Sequence, residues 1–84
     1  MEFEERSLNM AKLPRLDAIQ LSKILKKLGF KFIRQRGSHM FFKHPDGRST
    51  VIPYHPGDKI GPGLLLKIIK EDIQLSRKEF EKLF

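Results

Sequence analysis

The sequence predicts a two-layer α+β domain in the order helix, three strands, helix, with a short helix appended at the C-terminus. Three observations lead there. Apolar residues recur at helical spacing in two segments, Leu21, Ile24, Leu25 and Leu28 in one and Leu64, Leu65, Ile68 and Ile69 in the other. Between them lie three strand-like runs separated by Gly37 and by the turn sequence His44-Pro45-Asp46-Gly47. Two helices with one apolar stripe each are both satisfied by packing on the same face of a three-stranded antiparallel sheet, which leaves the other face for a partner.

Residues 1–15 show no sustained periodicity and read as an N-terminal arm, with residues 16–84 as the domain; Met10 offers an alternative start within the arm. Asp17 and Gln20 have capping-box spacing ahead of the first apolar stripe, and Gly29 is suited to the left-handed conformation that ends a helix, so the first helix covers about residues 18–28. Phe30 to Arg36 switches to a period of two. That period puts Phe30, Phe32, Arg34 and Arg36 on one face and Lys31, Ile33 and Gln35 on the other. Gly37 permits a tight reversal into Ser38–His44, and Arg48–Pro53 closes the meander, with Pro53 marking its end. Tyr54–Ile60 is a loop. Gly61-Pro62 begins the second helix, which runs to about Asp72. Ser76 and Glu79 form a second capping box before a last helix with Phe80, Leu83 and Phe84 on its apolar side. Phe30, Phe32 and Phe42 are assigned to the core, because a domain this small has few other large side chains to fill its interior.

Composition narrows the function classes. With no Cys among 84 residues, neither a disulfide framework nor a thiolate metal cage holds the fold, and stability rests on apolar packing. The longest apolar runs are too short to span a bilayer, and Glu2, Glu4 and Glu5 stand where a secretory signal needs positive charge; the expected location is the cytoplasm. Seventeen Lys and Arg against ten Asp and Glu give a formal net charge of +7. A small body with that charge attracts polyanions, nucleic acid first among them. The element order is also that of the double-stranded-RNA-binding domain, which reads A-form geometry and phosphates more than base sequence.

Few chemical options remain. There is no carboxylate pair on one element, no phosphate-binding glycine loop ahead of a helix and no nucleophile motif. The three histidines, His39, His44 and His55, match no helical metal pattern, and no metal or cofactor is expected. His39 follows the Gly37 turn, with Arg34 and Arg36 on the preceding strand and Lys43 further along its own face. An imidazole, whose ordinary pKa is about 6.5, takes a proton from an RNA 2′-hydroxyl near neutral pH and lets that oxygen attack the adjacent phosphodiester. Arg34, Arg36 or Lys43 would stabilise the charge that builds on the phosphoryl oxygens. The competing reading of a strand histidine is a structural side chain. His44 precedes Pro45, which favours an extended strand end and a turn-supporting role. His55, in a loop, carries no specific signal. Lys59 and Lys67, just before and within the second helix, are candidates for phosphate contact or simply a solvated lysine face.

The ordered series Gly29-Phe30, Arg34-Gln35-Arg36-Gly37-Ser38-His39, Phe42-Lys43-His44-Pro45-Asp46-Gly47, Pro53 and Gly61-Pro62-Gly63-Leu64 resembles the HicA, or YcfA-like, family of toxins over about residues 16–83. The resemblance implies a double-stranded-RNA-binding-domain fold, cleavage of mRNA without a metal, and a HicB-type antitoxin that covers the active face and represses the shared operon with the toxin. It assigns catalysis to His39, the His of the Gly-Ser-His segment. Beside that assignment, Arg34, Arg36, Ser38, Lys43, Lys59 and Lys67 are the candidate RNA contacts. The free protein is expected to be a monomer. Two features depart from the family pattern: Met40 stands where many members carry a second His, and the arm before Leu16 is longer than usual. Two alternatives share the same fold, a non-catalytic RNA-binding module and a module whose basic surface serves mainly to dock the antitoxin.

Overall fold

The computed structural model of the protein describes residues 15–76 together with Glu79 and Lys82. The N-terminal arm up to residue 14 and the apolar residues expected on the last helix lie outside the described residues.

The predicted caps form. The Asp17 carboxylate accepts the Gln20 N–H (2.8 Å) and the Gln20 side-chain oxygen accepts the Asp17 N–H (2.9 Å), which starts helix α1 at Ala18–Lys27. At its other end the Phe30 N–H donates to the Leu25 carbonyl and the Gly29 N–H to the Lys26 carbonyl. This is the paired closure of a Schellman motif, with Gly29 at φ +99°. Strands β1 (Lys31–Arg36), β2 (His39–Lys43) and β3 (Ser49–Pro53) then form an antiparallel meander in that order. Helix α2, Pro62–Lys67, runs on without a break as a π-helical segment, Ile68–Ile73. Ser76 and Glu79 exchange the expected capping bonds (3.0 and 3.1 Å).

Both helices cover one face of the sheet. Leu21 and Leu25 of α1, Leu65 of α2, and Ile68, Ile69 and Ile73 of the π segment bury themselves against Phe30, Met40, Phe42 and Ile52. Ile73 was not part of the expected stripe. The wider i→i+5 turn brings it back over Ile68, and Gln74 closes the segment in the left-handed conformation at φ 57°. Leu64, by contrast, is 38% exposed, so its place in the second stripe is corrected: Leu65 enters the core and Leu64 faces outward.

The β1 reading needs two corrections, and both come from one feature. Phe32 pairs with Phe42, but Arg34 pairs with Phe41, so Ile33 is an extra residue in a β-bulge. A residue inserted in one strand reverses which face its successors occupy. Phe32 therefore keeps the helix side, its ring edge-on to buried Phe42 at 5.6 Å, while Arg34 and Arg36 move to the open side with Phe41 and His39. Phe32 is not core: on an edge strand beside Ile19 it remains 45% exposed.

A polar cluster ties the β2–β3 turn to both helices. The His44 Nδ1 accepts the Asp46 N–H (3.0 Å) and its Nε2 donates to the Leu28 carbonyl (3.2 Å) at the end of α1. The Arg48 guanidinium bonds the Asp46 carboxylate (2.8 Å) and the Ile73 carbonyl and lies over the Phe30 ring. Buried Thr50 donates its hydroxyl to Asp72 (2.9 Å). The Arg48 N–H foremost, helped by the Arg48 guanidinium and His44, holds the Asp46 carboxyl below its ordinary value. A carboxyl depressed in the folded state contributes stability above its unfolded pKa and loses it as the pH falls through the folded value. Asp46→Asn should therefore melt below wild type at pH 7, with the gap between the two melting temperatures narrowing as the pH falls below the ordinary carboxylate range. A constant gap across a thermal series from pH 7 to pH 3 would show that the Asp46 charge contributes nothing.

Candidate functional site

The open face is built by alternation along β2 and by the bulge in β1. In β2, Met40 and Phe42 are buried under the helices, so His39, Phe41 and Lys43 must point the other way. Their cross-strand partners share that face: Arg36 and Pro53 beside His39, Arg34 and Val51 beside Phe41, Lys31 and Ser49 beside Lys43. None of the three strands contains an acidic residue. Among the described residues, Lys31, Arg34, Arg36 and Lys43 make no ion pair with a carboxylate. The face is a cationic surface around one imidazole.

His39 sits at the mouth of a two-residue hairpin. Gly37 at φ +57° occupies the first turn position, and Ser38 follows with φ below zero, the arrangement of a type II′ turn. The Gln35 side chain donates to the Gly37 carbonyl (2.9 Å), and the Ser38 carbonyl accepts the Tyr54 N–H (2.6 Å), which ties the turn to the chain leaving β3. His39 is exposed, and Arg36 lies directly across from it. The Arg34 guanidinium rests over the Phe41 ring, 5.1 Å from its centre. Such a stack holds the guanidinium near the sheet and leaves its N–H edges for an anion.

The structure thus puts His39, Arg34, Arg36 and Lys43 on one face, with Arg36 across from His39, Ser38 in the turn beside it and Lys43 at the far end of β2. It does not bring Lys59 or Lys67 to the same surface. Lys59 pairs with Asp17 in a short antiparallel bridge, and its ammonium lies 3.4 Å from the Gln20 side chain at the start of α1. Lys67 is on α2, in the layer behind the sheet, with Asp72 at 3.9 Å. His55 lines a pocket of about 260 Å³ with Pro53, Lys59 and Leu64, at the end of the sheet where His39 lies. His44 is half-buried and both its ring nitrogens are engaged in the turn cluster. Met40 points into the core, so a side chain at that position cannot share the open face with His39.

Sequence reading left Phe41, Lys31 and Ile33 out of the site. Phe41 and Lys43 were reachable by counting in twos from His39. Lys31 and Ile33 were not, because their approach to Lys43 depends on the bulge.

The face can bind a phosphodiester through its guanidinium and ammonium groups, move a proton through His39, and offer an aromatic ring to a base. Among the described residues no three potential metal ligands cluster, and no helix is long and apolar enough to cross a membrane. Residues 20–72, more than half of the chain, match the family model described as HicA toxin of bacterial toxin-antitoxin. A search of curated proteins gives no match.

Proposed function

The chain belongs to the HicA toxin family of bacterial toxin–antitoxin pairs, and from that premise we propose that it is a cytoplasmic endoribonuclease that cleaves mRNA on its open sheet face with His39 as general base. As a toxin of such a pair it has a cognate antitoxin as partner. The observation that carries the proposal is an exposed imidazole on a cationic strand face, with Arg36 across from it and no carboxylate on any of the three strands.

The His39 imidazole takes the proton of an RNA 2′-hydroxyl, the freed oxygen attacks the adjacent phosphorus, and the bond from phosphorus to the 5′-oxygen breaks. The departing oxygen takes up a proton, from His39 in its protonated form or from water. The products are a 2′,3′-cyclic phosphate and a 5′-hydroxyl end. Arg36 and Arg34 stabilise the negative charge that gathers on the phosphoryl oxygens. Ser38 fixes the turn through its carbonyl and sets the position of His39. A HicB-type antitoxin inhibits the toxin by covering this face, where charge complementarity favours an acidic partner.

The test is cleavage of a long single-stranded RNA by the purified protein in EDTA, with folding verified by circular dichroism. Fragments ending in cyclic phosphate support the reading. Folded protein that binds RNA in a salt-sensitive way and leaves it intact identifies a non-catalytic binding module instead. Folded protein that ignores RNA and binds only the antitoxin reduces the basic face to a docking surface.

A further inference from the structure

Four residues beyond His39 on β2, Lys43 stands directly across from Lys31 of β1, both exposed on the open face. Like charges in that relation destabilise a sheet. No acidic residue on the strands offsets them, and neither forms an ion pair with a carboxylate among the described residues. Beside them lies the extra residue Ile33, exposed, and Lys31, Ile33, Lys43, His44 and Pro45 line a shallow, mostly apolar pocket of about 210 Å³. Halfway between this pocket and His39 lies Phe41 under the Arg34 guanidinium.

We propose that Lys31 and Lys43 form a second phosphate subsite, so that a single RNA strand runs along β2 with one phosphodiester at His39, a base on Phe41 and a further phosphate between the two lysines. The proposal rests on the ribonuclease reading and adds to it the path of the strand along β2 and the length of RNA engaged. Four residues of strand span about 13 Å, roughly two phosphodiester repeats of an extended single strand. An anion between Lys31 and Lys43 turns their repulsion into shared attraction. The Ile33 and Pro45 surface gives the neighbouring sugar or base an apolar wall. The ring of Phe41 is sequence-tolerant, as a stacking platform is. The flat, open geometry suits an unpaired strand, whose bases are free to stack.

The test is equilibrium binding of 2′-O-methyl RNA oligonucleotides, which cannot be cleaved at a blocked 2′-oxygen, by fluorescence anisotropy. Wild type is compared with Lys31→Gln/Lys43→Gln and with a control of equal charge loss on α1, Lys23→Gln/Lys26→Gln. For wild type, lengthening the oligonucleotide from two to four nucleotides should tighten binding about tenfold, and the slope of log Kd against log salt should steepen by about one. The strand-face variant should lose that gain and the α1 control should keep it. Equal weakening by both variants would mean that net charge alone attracts RNA, and would overturn the subsite. So would unchanged RNA affinity in the strand-face variant, whether or not its antitoxin binding suffers. Because the readout is binding, the length-dependent gain in a protein that fails to cleave upholds the subsite while the ribonuclease reading falls.

Discussion

His39→Ala protein is expected to keep its fold and to lose RNA cleavage by about 10²–10⁴-fold, the range that a positioned general base contributes. The two halves of that expectation have separate origins. His39 is exposed at the end of β2, and the turn beside it is held by the Gln35 side chain and by the backbone bond from Tyr54 to Ser38, so shortening His39 leaves that scaffold intact. A surface substitution of this kind changes stability by no more than about 0.5 kcal/mol. On the three strands the chemistry has no substitute base. His44 is committed to Leu28 and Asp46, His55 belongs to a loop pocket beyond Pro53, and the strands supply no carboxylate. Time courses in EDTA with wild type, His39→Ala and Arg36→Ala, each checked for melting temperature, decide the matter. Arg36→Ala should retain partial activity, because Arg34 remains on the same face. Equal cleavage by wild type and His39→Ala would point to a contaminating nuclease or another active site and would sink the assignment. A matching growth assay should show toxicity from wild type only.

How far the sequence foretells this site depends on which physical signal each residue carries. The ends of α1 were legible because Asp17, Gln20 and Gly29 act through local backbone hydrogen bonds that any chain with those residues at that spacing can form. The meander was legible because Gly37 and the His44–Gly47 turn punctuate it. The placement of Arg34 and Arg36 was not. Strict alternation assigns them the parity of Phe32, which would put two guanidinium groups beneath the helices or turn Phe32 away from Phe42. The bulge at Ile33 removes that conflict by satisfying Phe32 on one side and both arginines on the other. Such an insertion is decided by tertiary packing, which local pattern does not encode. The π-helical segment escaped for the same reason, since its wider turn follows from where Ile73 must be buried against the sheet rather than from the spacing of its neighbours. Lys59 and Lys67 show the limit of charge as a guide. Each is basic, one just before α2 and one at its last residue, but the fold turns Lys59 toward Gln20 and Lys67 toward Asp72.

Gly29→Ala should be the most damaging conservative substitution in the domain, lowering stability by roughly 2–4 kcal/mol, the sum of a strained backbone and a disturbed hydrogen bond. At this chain length that is a melting-temperature loss of roughly 10–25 °C. Two costs coincide at this position. Its φ of +99° is one that side-chain-bearing residues rarely adopt, and a Cβ there would come within 2.9 Å of His44 Nε2 and 3.3 Å of His44 Cδ2. His44 has little room to yield: it holds the Leu28 carbonyl and the Asp46 amide, and its ring packs edge-on against buried Phe30, with centres 5.1 Å apart. Pushing the ring aside therefore breaks the link between the end of α1 and the end of β2, next to Lys43. A double-mutant cycle separates the two costs. In a His44→Ala background, Gly29→Ala should lose its steric part and keep only the backbone part, so the two changes combine to less than their sum. If Gly29→Ala costs as much there as in wild type, the backbone alone sets the price and the contact with His44 is immaterial. If it costs almost nothing in either background, the left-handed helix ending is not what joins α1 to the sheet. The same cycle reaches the function, because relaxing this joint shifts Lys43 and the pocket wall formed by His44 and Pro45. Gly29→Ala should then weaken RNA binding at a temperature where the protein is still folded, and leave the His39 end of the face unaffected.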